Sequence, residues 1–210
     1  MKRYDAIKCW IKYKLLKKKR TLEATHKFWE EAKNDNWDKY KDGIEKSRFL
    51  WTLINTLTLK KDARILELGC NIGRNLNFLY QKGYTYLDGI ELNKEAVRQS
   101  EKIFPNMKAN IMNYMVEDYF DYTIAKYNLI FTMAVLEHLP KESEWVFGEI
   151  VKRTDYLITV EDEKSINKIC FPRNYKKIFE NLGMIQLYEF TCDGVHPSLH
   201  KGFKARIFTK

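Results

Sequence analysis

The chain has 210 residues, a length that fits one compact domain with additions on a prior of about 100 to 200 residues per domain. Its 37 Lys and Arg against 28 Asp and Glu give a formal net charge of +9, and nine of those cations crowd into the first twenty residues against the single Asp5, so a basic arm precedes a nearly neutral body. No apolar run approaches the roughly 20 residues that cross a bilayer, the charged start lacks an apolar signal core, and Cys9, Cys70, Cys170 and Cys192 lie too far apart for a zinc or redox motif, so the expectation is a cytoplasmic protein with reduced thiols and no metal site.

In chain order the arm comes first. On a helical wheel Tyr4, Ile7, Trp10, Ile11, Leu15 and Leu16 gather on one side, while Lys8, Lys12, Lys17, Lys18 and Arg20 spread over another. Such a helix either docks an anionic partner, whether acidic peptide, lipid or phosphate backbone, or lays its apolar stripe on the body and leaves its lysines in water. Residues 21 to 33 and 44 to 59 read as two further helices threaded with Phe28, Trp29, Trp37, Tyr40, Phe49 and Trp51. Most of these aromatics are expected in the core.

From Arg64 the pattern alternates. Strands are predicted at 64 to 68, 86 to 91, 107 to 111, 127 to 133, 155 to 160, 184 to 190 and 203 to 209, with helices at 74 to 82, 94 to 103, 142 to 153 and 173 to 182. Residues 112 to 126 are too irregular to assign. This alternation implies an α/β fold with a doubly wound, mostly parallel sheet.

The most informative stretch is Ile65-Leu66-Glu67-Leu68-Gly69-Cys70-Asn71-Ile72-Gly73. An apolar run runs into a turn where two glycines remove side chains, and the next helix presents free N–H groups to a ligand. The spacing is G-x-x-x-G, not the G-x-G-x-x-G of dinucleotide binders. Glu91 ends the following strand about 20 residues on, where an acid reaches the hydroxyl pair of a ribose.

These residues resemble the class I S-adenosylmethionine (SAM) methyltransferases. The wording LELGCNIGRNL followed by GIELNKEAV, with Phe28-Trp29-Glu30 ahead of it, looks most like two subfamilies. One is the small methylases associated with pseudaminic acid biosynthesis, and the other is stand-alone peptide-tailoring enzymes such as lanthipeptide carboxyl methyltransferases. The resemblance implies a Rossmann-like sheet of seven strands in the order 3-2-1-4-5-7-6, with the last strand antiparallel. It further implies a division into a basic arm with lid helices (1–60) and a SAM-binding domain (61–210).

By the same resemblance Glu67, Gly69, Cys70, Asn71, Gly73, Asn75, Glu91, Leu92, Met133 and Ala134 hold SAM and its product S-adenosylhomocysteine. Cys70 is expected to pack beside the cofactor. On the acceptor side the family order brings His138, Glu161 and Glu163, Arg173 and Tyr175, and His196 and His200 to one edge of the sheet. A hydroxyl acceptor needs a base, whereas a carboxylate is already ionised and needs only cations or donors to hold it. His138, Arg173, Tyr175, His196 and His200 are the catalytic candidates, with a loop-tying role open for His138.

The segment after strand four carries neither a D/N-P-P-Y/F/W sequence nor a Pro-Cys nucleophile, which disfavours nucleic-acid base methylation. The expected acceptor is an acidic peptide, methylated on a carboxylate. Two alternatives stay open: a sugar or other small metabolite of surface-polysaccharide biosynthesis, and a non-catalytic module of the same fold that binds RNA or an anionic membrane through residues 1 to 20.

Overall fold

The computed structural model describes residues 20–32, 37–165 and 167–210. The basic arm through residue 19 lies outside them. Among the described residues three helices precede the sheet: α1 (Leu22–Glu30), α2 (Trp37–Lys41) and α3 (Ile44–Ile54). Then come β1 (Arg64–Leu68), α4 (Arg74–Gln81), β2 (Tyr86–Glu91), α5 (Lys94–Ile103), β3 (Asn110–Asn113), α6 (Val116–Tyr122) and β4 (Tyr127–Met133). Two short 3-10 turns, Leu136–His138 and Lys141–Ser143, lead to α7 (Trp145–Arg153), β5 (Thr154–Asp162), α8 (Tyr175–Asn181), β6 (Ile185–Thr191) and β7 (Phe203–Thr209).

The seven strands form one sheet in the order β3-β2-β1-β4-β5-β7-β6. All neighbours run parallel except β7, which is antiparallel to both β5 and β6. Alternation along β1 sends Ile65 to one face and Leu66 and Leu68 to the other, as the period of two requires. On the first face Leu50, Leu53 and Ile54 of α3 and Leu76 and Leu79 of α4 cover the sheet. On the second, Tyr119 and Phe120 of α6, Phe147 and Ile150 of α7, and Tyr175 and Phe179 of α8 do so. Because α3 and Leu57 join the first core, packing does not break at residue 60.

Where the elements differ from expectation, local bonds account for it. Helix α3 stops at Ile54 because Thr56 donates through both its N–H and its hydroxyl to the Leu53 carbonyl, and Leu57 N–H bonds Ile54 O, tightening the chain into turns. Strand β3 starts at Asn110, later than 107, because Met107 N–H closes a turn onto Phe104 O and pairing with β2 begins only at Asp88–Asn110. The unassigned crossover holds α6, and the helices expected at 142 and 173 begin at Trp145 and Tyr175. Among the described residues no helix is long and apolar enough to cross a membrane.

Candidate functional site

Strand β1 delivers the chain into a turn with three left-handed residues, Gly69 (φ 66°), Asn71 (φ 51°) and Gly73 (φ 75°). Cys70 N–H donates to Ile90 O and Gly73 N–H to Cys70 O, both at 2.9 Å, pinning the turn to β2. A Cβ on Gly69 would lie 2.5 Å from Val135 Cγ2, and one on Gly73 2.6 Å from Ile111 Cδ1. The loop after β4 contributes its own left-handed residue, Ala134 (φ 57°). Two strained, non-glycine positions in one neighbourhood are a mark of a ligand site.

Two carboxylates flank the turn. Glu91 accepts from Asn71 N–H on Oε2 (2.9 Å) and from Asn93 N–H on Oε1 (2.8 Å), so its orientation is fixed while each oxygen keeps a lone pair. Burial raises its pKa, and the Asn93 and Asn71 amides oppose that rise. Glu67 is buried; its Oε1 accepts from Asn75 Nδ2 (2.7 Å), and its Oε2 has no partner among the described residues. Burial pushes its carboxyl up to about 8.

The wall beside Glu67 is cationic. Arg74 donates through Nε to Ser47 Oγ, through Nη1 to Tyr40 O and through Nη2 to Asn75 Oδ1, each at 3.1 Å. Ser47 also donates to Asn75 Oδ1 (2.7 Å), which locks α3 to the start of α4. Lys46 is half-buried next to Arg74, and its Nζ donates to Ser198 Oγ at 3.4 Å. Burial, then the charge of Arg74, lowers its ammonium to about 8. His196 completes the wall: its Nδ1 accepts from Ser198 N–H (3.1 Å) and meets Ser198 Oγ at 2.9 Å. Desolvation, then Lys46, holds its pKa below the usual imidazole value.

Helix α1 closes the other side. Its Thr21 cap accepts from Ala24 N–H, and its C-terminal end is held by Asn93, whose Nδ2 donates to Trp29 O (3.2 Å) and Ala32 O (3.0 Å). His26 Nε2 lies 3.2 Å from Glu117 Oε1. Burial raises the Glu117 carboxyl, but the bonds from His26 and Ser143 outweigh it and keep it low. Trp29 sits against the His138 ring, with centroids 4.5 Å apart.

These groups enclose a cavity of about 600 Å³, within the usual range for small-molecule sites. Of the residues expected around a cofactor, Glu67, Gly69, Cys70, Asn71, Asn75, Glu91, Leu92, Met133 and Ala134 line it. Gly73 does not; it stands at the N-cap of α4 against Ile111 and Met107. Cys70 is buried, and burial drives its thiol well above the ordinary value, so it is a packing residue.

Of the acceptor-side candidates, only His138 and His196 line the cavity. His138 donates from Nδ1 to Ile169 O (2.8 Å), and its Nε2 lies 3.5 Å from Glu137 Oε1. Arg173 is tied to Glu144, Leu136 O and Phe171 O. Tyr175 is 0% exposed in the second core, against Phe147 and Phe179. His200 pairs with Asp162 at 3.3 Å and accepts from Gly202 N–H. Glu161 accepts from Thr132 Oγ1 and from the Val135 and Glu137 amides, holding the loop after β4, while Glu163 binds Arg206. Arg173, Tyr175, His200, Glu161 and Glu163 are not among the described residues that line this cavity, and each has its partners or its packing elsewhere.

Lys46, Arg74, His26, Glu117 and Ser198 line the cavity without having been singled out. Arg74 and Asn75 sit inside the recognised motif, so Arg74 was within reach of sequence reasoning. Glu137, His138 and Cys170 also bring a carboxylate, an imidazole and a thiol within 4.8 Å of one another. The Asp162 N–H bond to Glu137 Oε2 and the His138 bond to Ile169 O tie that group to loop backbone.

The arrangement has a direction set by the sheet order. Glu91 ends β2, and toward β3 the cavity is lined by Leu92, Met115 and Val116 together with Glu117 and His26, where the base of a ribose held on Glu91 would lie. The opposite end, toward β1 and β4, holds Glu67, Asn75, Arg74, Lys46 and His196. A nucleoside with a zwitterionic tail fits this lining: its diol would meet the oriented Glu91, its ammonium the oxygen of Glu67 that has no partner among the described residues, and its carboxylate Arg74. SAM has these groups in this order.

A seven-stranded sheet of this order with a ligand cavity at its first turn defines the class I, Rossmann-like methyltransferase fold. The family described as a methyltransferase domain matches residues 40–149, more than half of the chain, and the chain belongs to that family. No curated protein matches it. Among solved structures it is similar to magnesium protoporphyrin IX methyltransferase (ChlM) of Synechocystis with bound SAM, at 13% identity and a TM-score of 0.64 over 88% of this chain and 93% of that one. It is also similar to a TehB-like SAM-dependent methyltransferase of Corynebacterium glutamicum, at 17% identity and a TM-score of 0.59 over 79% and 87%. The cyclase SpnF aligns at 11% identity and a TM-score of 0.62 over 78% and 80%. At these identities the likeness is one of fold, and the acceptor must be argued from the cavity.

Proposed function

We propose that the chain transfers the methyl group of SAM to a carboxylate oxygen of an anionic acceptor, first among them an acidic peptide. SAM supplies an electrophilic methyl on a sulfonium. The protein's work is to align the acceptor, exclude water and leave proton traffic out of the step.

The observation that carries this reading is the hydrogen-bonding state of the imidazoles. At the tail end of the cavity His196 Nδ1 receives the Ser198 N–H, so the neutral ring bears its proton on Nε2 and is a donor. His138 donates from Nδ1 to Ile169 O, which ties its ring to the loop, and its Nε2 lies 3.5 Å from Glu137 Oε1, a carboxyl whose pKa burial and then Glu161 raise. His26 directs Nε2 at Glu117 near the base slot. At the tail end His196 therefore offers no free lone pair where a hydroxyl would need deprotonation, while cations and donors are plentiful there. A carboxylate needs the second set alone: one of its oxygens takes the methyl, the other becomes the ester carbonyl, and no proton moves.

Arg74, Glu67 and Asn75 hold the cofactor's tail, and Glu91 its ribose. Trp29, Trp37 and Tyr40 wall the cavity against water. The basic arm, residues 1 to 20, adds a long-range attraction for an acidic peptide.

The test is methyl-labelled SAM with two versions of an acidic peptide, one with free carboxylates and one fully amidated, followed by mass. The reading expects one methyl on the free acid, removed by mild base. A base-stable methyl, or transfer to the amidated peptide, contradicts it.

A further inference from the structure

Lys46 has no place in the cofactor assignments above. It is half-buried in the cavity wall, beside a second cation, and among the described residues it forms no ion pair with a carboxylate within 4 Å. Burying a cation next to another costs free energy unless an anion joins them. Arg74 is different: three of its nitrogens already donate to Ser47, Tyr40 and Asn75. The one hydrogen bond from Lys46 is the 3.4 Å contact with Ser198 Oγ, leaving two ammonium protons to give.

The surroundings are built to admit this pair of charges. Gly43 caps α3 where a Cβ would come within 2.9 Å of Arg74 Nη1 and 3.1 Å of Lys46 Cε, so any side chain there would press on both cations. From the far side of the cavity the loop between β6 and β7 brings Ser198 to Lys46 and turns His196 so that Nε2–H is its donor. Two elements distant in sequence thus join Lys46 to the Ser198 and His196 turn on the cavity lining, and among the described residues no acidic side chain meets Lys46 within ion-pair distance.

We propose that Lys46, with His196 Nε2–H, is the receptor for the acceptor's carboxylate, separate from the Arg74 and Glu67 pair that holds the tail of SAM, and that Ser198 positions both. This rests on the carboxylate reading and adds to it the residue that selects the substrate. Lys46 is a binding residue: one oxygen of the acceptor lies on its ammonium, which leaves the other free to face the methyl group. An amide or an alcohol at the same place would leave the ammonium uncompensated, so the receptor discriminates by charge.

The test separates cofactor from acceptor. The protein saturated with S-adenosylhomocysteine is titrated with acetate and, in parallel, acetamide, following backbone amide shifts by NMR with nitrogen-15. Acetate is expected to saturate a site that acetamide does not. In Lys46→Met the acetate affinity should fall by about tenfold or more while S-adenosylhomocysteine affinity holds, and Lys46→Arg should restore part of it. Because Lys46→Met removes a like-charge contact, its Tm should equal or exceed that of the wild type, which guards against misfolding as the cause. Equal acetate affinity in wild type and Lys46→Met overturns the proposal. So does a loss of S-adenosylhomocysteine affinity with acetate binding unchanged, which would assign Lys46 to the cofactor tail. Acetate binding that needs Lys46, together with no base-labile methyl on peptide acids, would sink the reaction and leave the receptor standing.

Discussion

Glu67 carries two demands at the scale of one residue. In the folded chain burial raises its carboxyl to about 8, so it is protonated at neutral pH, while one oxygen has no partner among the described residues. The folded value lies above the unfolded one, so its contribution to stability is complete below the unfolded pKa and is lost as pH rises through the folded one. Glu67→Gln keeps the bond from Asn75 and removes the titration. The expected result is a Tm advantage over wild type that is small near pH 5 and grows to roughly 10 °C by about pH 8, with weaker SAM binding at every pH. A Tm difference that stays flat across this range would contradict it. Glu67 and Glu91 were legible because both sit at fixed spacing from the turn. Lys46 and Ser198 were not, because their meaning arises only when α3 meets the loop before β7. The glycines were read correctly as a tight turn, but Gly69 owes its lack of a side chain to Val135, a neighbour no local pattern reveals.

At the scale of elements, the strands of this sheet were readable because a buried parallel strand is a short apolar run. Helix α6 was missed because it is seven residues long, and its buried set of Val116, Glu117, Tyr119 and Phe120 includes a carboxylate that breaks the apolar pattern. Helix α1 was found, yet its attachment was hidden, since it depends on Asn93 reaching the carbonyls of Trp29 and Ala32. Asn93 also caps α5 by accepting from Ala96 N–H. Asn93→Ala should therefore cost about 1 kcal/mol from the lost cap and untie α1 as well. Amide exchange along residues 22 to 30 is expected to speed up, and dissociation of SAM with it. Unchanged exchange in α1 would show that its His26 and Trp29 contacts suffice to hold it.

For the whole molecule, the separation of charge is the feature that topology does not explain. The sheet order and the antiparallel β7 follow from the strand pattern and the family resemblance, and both are present. The basic arm adds most of the net charge of +9, and among the described residues the cavity lining starts at Thr25. Removing residues 1 to 19 should leave SAM affinity within about twofold. It should raise KM for an acidic peptide and flatten the dependence of that KM on salt, because screening acts on exposed long-range charge. An unaltered salt dependence would deny the arm a part in substrate capture.

The central claim is that the cavity at the first turn of the sheet holds SAM by its ribose on Glu91. Calorimetric titration of SAM into wild type and Glu91→Ala, with folding of the variant checked by its melting curve, tests it most directly. The account predicts saturable binding to wild type and a loss of roughly 10- to 100-fold in the variant, the worth of hydrogen bonds to a charged group. Equal affinity in two folded proteins would contradict it and place the cofactor elsewhere.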